Sequence, residues 1–157
     1  MKKFLFDCGT RDAVASLGFL ALRVMVGLMM LIGHGIPKIQ NFAGRKDFFP
    51  VPDFFLLKLM SPAMSLTACI GAEVVGSVLI IIGLATRPAA FVLGMTMVVA
   101  AFSYLGGAPW FFSPPTLVES KELPLMYLIP LIAIILAGAG AYSCDAAICK
   151  ESKRRRW

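Results

Sequence analysis

The side chains able to do chemistry in this sequence are few. Arg23, His34, Glu73 and Glu122 lie within or at the rims of long apolar runs. An ionisable group in such a run is costly unless paired or hydrated, so each needs a partner or a task. His34 is the single histidine, with Lys38 one helical turn later. Glu122 falls at the same membrane level, just before the last apolar run, with Tyr127 a little over one turn further in. An imidazole, a carboxylate and a phenol at one depth could hold a quinone carbonyl and carry its protons, because histidine titrates near neutral pH. An interfacial histidine bonded to a loop or to lipid headgroups fits the same spacing. Arg23 and Glu73 sit on adjacent antiparallel runs, and depth alone leaves them roughly 6 Å apart at 1.5 Å of rise per residue. That predicts a buried charged pair. It could fix helix packing, or Arg23 could set the ionisation of a proton-accepting or ligand-anchoring Glu73. An unpaired, hydrated Glu73 is the remaining option.

Metal and covalent chemistry find little support. One histidine cannot build a bis-histidine haem site, and the chain has no CxxC motif. Cys8, Cys144 and Cys149 are expected on the reducing side of the membrane, where disulfides do not persist. With Asp145 they could assemble a thiolate cluster, but no metal site is predicted. Cys69, inside an apolar run, reads as a small apolar filler. P-loop, dinucleotide and nucleophile-elbow motifs are all missing from the 157 residues.

The elements that must position these residues follow from composition. Apolar residues make up 59% of the chain and charged residues 15%, and mean hydropathy is +0.82. A water-soluble globule and an ordinary nucleic-acid-binding domain are excluded by that balance. Four apolar stretches, 16–36, 63–84, 88–105 and 124–141, suit a hydrocarbon core of about 30 Å. Pro62, Pro88 and Pro124 stand at helix starts, where a missing N–H costs least. Gly35 and Pro37 are expected to close the first span, and Gly138 and Gly140 the fourth. The fold expected is all-α, an integral membrane four-helix bundle. The aromatic-rich connection from Lys38 to Met60 reads as an interfacial or re-entrant segment. Met1-Lys2-Lys3 resembles a signal-peptide n-region, but Asp7, Arg11 and Asp12 interrupt it, and cleavage is not expected.

Four spans put both termini on one side. That side collects Lys2, Lys3, Arg11, Arg87, Lys150, Lys153, Arg154, Arg155 and Arg156, against Lys38, Arg45, Lys46, Lys58 and Lys121 opposite. The bias predicts a cytoplasmic (inner) membrane protein with both termini in the cytoplasm. The net charge of +6 then reports orientation and a basic headgroup anchor ending in Trp157. The expected division is a cytoplasmic segment 1–15, a membrane domain 16–146 and a basic tail 147–157.

Several runs together resemble the DoxX family. They are Leu22-Arg23-Val24-Met25-Val26-Gly27, His34-Gly35-Ile36-Pro37-Lys38, Glu73-Val74-Val75-Gly76, and Ile82-Gly83-Leu84-Ala85-Thr86-Arg87-Pro88. The stretch from Gly138 through Ser143 to Asp145 is similar to the family's Gly-x-Gly-x-x-Ser-x-Asp close to its fourth helix. The resemblance covers about residues 16–146 and implies a compact four-helix membrane bundle. It marks Arg23, His34, Lys38, Glu73 and Arg87 as motif residues, with Arg87 on the cytoplasmic side. Members resemble subunits of a thiosulfate:quinone oxidoreductase, partners of redox-stress proteins, or cargo-handling membrane proteins.

The resulting expectation is a redox subunit that binds a quinone or similar lipophilic ligand through His34, Lys38, Glu122 and Tyr127. It would work with a protein partner in the lipid bilayer, as a homo-oligomer or not, and without nucleic acid. No redox centre is visible, so catalysis by this chain alone is not expected. A non-enzymatic scaffold or lipid- or cargo-binding bundle is the alternative, and a small transporter the third.

Overall fold

In the computed structural model, residues 12–53, 55–112 and 119–154 are described. Lys2, Lys3, Cys8, Arg11, Arg155, Arg156 and Trp157, which carry the charge-bias and anchor arguments in part, lie outside them. The described residues form helices and the connections between them, with no strand among them. Helix α1 runs continuously over Ala13–Gln40, α2 is the short Phe42–Arg45, and α3 spans Pro62–Ile82. Helix α4 spans Thr86–Tyr104, α5 Glu122–Ala137 and α6 Cys144–Arg154. Helices α1, α3 and α4 are long and apolar enough to cross a membrane, and α5 is a shorter apolar helix. α4 packs along both α3 and α5, α3 along α1, and α1 touches α5, which closes an up-down four-helix bundle.

Helices α1 and α3 start on caps of their own. The Asp12 carboxylate accepts from Ala15 N at 2.8 Å, and Ser61 Oγ accepts from Met64 N at 3.3 Å with Pro62 in the first turn. Both satisfy donors that a helix N-terminus leaves open. Helix α3 ends in a Schellman turn. Leu84 N reaches Leu79 O (3.0 Å) and Gly83 N reaches Ile80 O (3.2 Å), with Gly83 at φ +73°.

The bundle is apolar inside and out, as lipid requires. Val26, Met30, Ile80, Leu93, Met97, Leu131 and Ile134 form the buried core. Outward faces carry Met25, Met29 and Ile32 on α1, Val75, Val78 and Ile82 on α3, and Ile129, Ile132 and Leu136 on α5. Small residues let the backbones close up. A Cβ on Gly27 would stand 2.5 Å from Ile81, and one on Gly35 would stand 2.9 Å from Val74. These two contacts set the register of α1 against α3.

Two boundaries differ from the sequence expectation. The first span does not close at Gly35 and Pro37: a π-helical turn over Leu31–Gly35 widens the backbone ahead of Pro37, and the helix continues to Gln40. Such turns absorb the carbonyl that a helical proline leaves without its usual partner. The fourth helix stops at Ala137 rather than 141, because Gly138 (φ +84°) and Gly140 (φ +75°) turn the chain back toward α1. There Ala141 N donates to Ser16 Oγ at 3.2 Å.

The long connection after α1 folds as α2, a loop and a 3-10 turn over Phe55–Leu59. It is fastened to the bundle by Ser65 Oγ donating to Pro50 O (2.9 Å) and Asp53 N donating to Ser103 Oγ (3.2 Å). The connection after α4 is fastened by Lys121, whose Nζ donates to Gly106 O (2.8 Å) and lies 5.0 Å from the centre of the Trp110 ring.

Candidate functional site

The bundle has two polar poles. The terminal pole holds the α3–α4 turn and the start of α6. Its centre is Asp145, which caps α4 by accepting from Ala85 N (2.8 Å), Thr86 N (3.0 Å) and Thr86 Oγ1 (2.9 Å). Ala85 is held in the left-handed region at φ 47°. Arg23 is wholly buried; its Nη1 donates to Ile80 O (3.2 Å) and its Nη2 to Tyr142 O (2.7 Å), with Asp145 as the nearby countercharge. Arg87 Nη2 donates to Leu136 O at 3.3 Å. These groups tie α1, α3, α4, α5 and α6 together, and neither arginine lines the cavity described below.

The expected Arg23–Glu73 pair is therefore corrected. Both side chains are buried, at 0% and 2% exposure, but Arg23 lies level with Ile80 and Gly83. Glu73 is two to three turns away, roughly 10–15 Å along α3. Depth counted from residue 16 misplaces α1, whose register is fixed by Gly27 against Ile81 and Gly35 against Val74.

At the other pole Glu73 takes Lys38 as its ion partner, through Lys38 Nζ and Glu73 Oε1. The continuation of α1 past Pro37 carries Lys38 to this level, and helical side chains lean back toward the N-terminus. Cys69, one turn before Glu73, completes the group. Its Sγ lies 3.3 Å from Lys38 Nζ and 3.5 Å from Glu73 Oε1. Cys69 is thus a member of the polar group and not the apolar filler expected; its i, i+4 spacing from Glu73 puts the two on one face of α3. Glu73 Oε2 is buried with no partner among the described residues.

Beside this group lies a cavity of about 1120 Å³. His34, Lys38, Glu122 and Tyr127, the four expected ligand residues, all line it, as do Cys69 and Glu73. His34 meets Tyr127 edge-on, with ring centres 5.4 Å apart and planes at 88°. Glu122 Oε2 accepts from Phe112 N at 2.8 Å, so this carboxylate anchors the second connection over the cavity. The first connection contributes Phe48, Phe49, Pro50 and Pro52 to the wall. The rest is mostly apolar, with Arg45, Thr96, Glu119 and Ser120 among its polar members, and includes Phe91, Val92, Met95 and Met126, which also stand on the outward face of the bundle. His34 sits in one π-helical turn, and Ser103 and Tyr104, from the second such turn at Ala100–Tyr104, line the same cavity. Turns of this kind recur at functional sites.

A bundle of apolar helices around a cavity with a few convergent polar groups defines the class: a small helical membrane protein built around an internal site. The chain belongs to the DoxX family, whose family model matches residues 18–106. That stretch includes Arg23, His34, Lys38, Cys69, Glu73 and Arg87 and ends before Glu122 and Tyr127. An uncharacterized protein of Haemophilus influenzae is 33% identical over 135 residues, covering 85% of this chain and 92% of its own. The protein named "Putative oxidoreductase CatD" of Bacillus subtilis is 26% identical over 137 residues, 87% of this chain and 91% of its own. A second uncharacterized Haemophilus influenzae protein is 28% identical over 154 residues, 96% of each chain. No solved structure matches the chain significantly.

Proposed function

We propose that this chain is the membrane subunit of a redox or redox-stress complex and binds a quinone or similar lipophilic ring. The observation that carries the reading is the cavity. It is large, mostly apolar and polar at one pole, which is the usual form of a small-molecule site. Its apolar wall reaches the outward face at Phe91, Val92, Met95 and Met126, which suits a ligand arriving from the hydrocarbon of the bilayer. The oxidoreductase name of the Bacillus subtilis relative is consistent with this reading.

The residues present fit a quinone. His34 and Tyr127 offer polar atoms with no hydrogen-bond partner of their own among the described residues, at the level where a headgroup would stop. Phe48, Phe49 and Met126 offer apolar walls. A bound quinone supplies carriage of two electrons and two protons. The chain's part is to bind and orient the ring, exclude water with its two capping connections, and hold a proton at His34. A partner subunit is the source of the electrons.

The test is purification in mild detergent, mass spectrometry of co-extracted lipids and proteins, and titration with a short-chain quinone followed by tryptophan quenching. Saturable quenching is expected, weakened about tenfold by His34→Ala and by Tyr127→Phe, each of which removes one hydrogen bond to the ring. No co-extracted quinone and no saturable quenching would overturn the reading.

A further inference from the structure

A buried carboxylate oxygen without a partner states what its ligand must bring. Glu73 is 2% exposed and lines the cavity. Its Oε1 is engaged twice, by Lys38 Nζ and by Cys69 Sγ, while Oε2 has no hydrogen-bond partner among the described residues. Buried polar atoms are nearly always paired, and an orphan in a native structure calls for an explanation. A carboxylate held by an ammonium accepts hydrogen bonds and does not donate them. The missing partner is therefore a donor. A quinone carbonyl is an acceptor and would meet Oε2 lone pair to lone pair, whereas a ring hydroxyl satisfies it with a charge-assisted bond. Lys38 cannot easily turn to serve a carbonyl instead, because it is already committed to Glu73 and Cys69.

We propose that the cavity selects the reduced, hydroxyl-bearing form of its ring ligand, a phenol or hydroquinone, and that the Glu73 carboxylate is the group that reads the hydroxyl. This rests on the cavity being a site for a lipophilic ring, and it adds which oxidation state is held and by which residue. His34 and Tyr127, on facing helices, contact the ring elsewhere, so Glu73 acts as the discriminating group.

The experiment uses the full chain in detergent and three air-stable probes with one tail: 4-nonylphenol, 4-nonylanisole and nonylbenzene. The wild type is expected to bind the phenol at least tenfold more tightly than either of the others. Glu73→Gln is expected to lower phenol affinity by about that factor and to leave the other two within twofold. Equal affinities for all three in the wild type overturn the inference, because water then serves Oε2 as well as a hydroxyl does; the ring-binding reading stands in that case. Failure of all three to bind overturns both. If Glu73→Gln is not recovered as a folded helical protein, the wild-type series alone decides, since a phenol preference is required and its absence is fatal.

Discussion

Lys38 and Glu73 are unequal partners, and the inequality is measurable. Glu73 is 2% exposed, whereas Lys38 is 18% exposed and borders the cavity. Lys38→Met strands a buried carboxylate, and breaking a buried pair from one side costs about 3–5 kcal/mol. Glu73→Gln leaves an ammonium that can turn toward the cavity, so its cost is expected to be the smaller of the two. The double variant is expected to cost clearly less than the sum, as a mutant cycle of detergent-solubilised unfolding reports. Additive costs would show that the two charges are solvated separately. The types of these residues were legible in the sequence, since charges in apolar runs announce themselves. Their pairing was not. Arg23 and Glu73 looked level because helix depth was counted from the first apolar residue, and no spacing within one helix reveals the register between two.

Helix existence was readable from the apolar runs, and helix ends were readable only where a cap obeyed its rule. Ser61-Pro62 and Gly83 did so. Pro37 did not: a π-helical turn ending two residues upstream let α1 continue through it and deliver Lys38 to the cavity. Asp145 shows the opposite case, a cap supplied from 60 positions away to Ala85 and Thr86, invisible to local reading. Asp145→Ala is expected to cost about 2–4 kcal/mol, because it opens the N-terminus of α4 and leaves buried donors unmet. Gly83→Ala drives a Cβ into Arg23 Nη1 at a positive φ, and is expected to cost more than about 1 kcal/mol through backbone strain alone. Both changes lie at the terminal pole. Unfolding in detergent is expected to shift for each, while ligand affinity at 4 °C stays within twofold of wild type. A large loss of affinity in either would mean that the two poles are coupled.

The separation of the poles gives the molecule a direction. The terminal pole concentrates binding for α6 and the arginines, and the cavity pole carries the two connections that cover the site. Which pole faces the cytoplasm is an electrostatic question, because basic residues near the ends of spans are retained on the cytoplasmic side. Arg87 belongs to the terminal pole, so that pole is expected in the cytoplasm and the cavity on the far side. Cys144 is exposed at the terminal pole, and Asp47 is exposed in the connection over the cavity. In a Cys69→Ser background, a cysteine introduced by Asp47→Cys is expected to react with a membrane-impermeant maleimide in spheroplasts. Cys144 is expected to react only after lysis. The reverse pattern would turn the bundle over and place the cavity on the cytoplasmic side, and with it the partner that supplies electrons. The expected pattern instead confines that partner to the far side of the membrane or to the bilayer itself, because Arg23, Arg87 and Asp145 at the terminal pole have no share in the cavity wall.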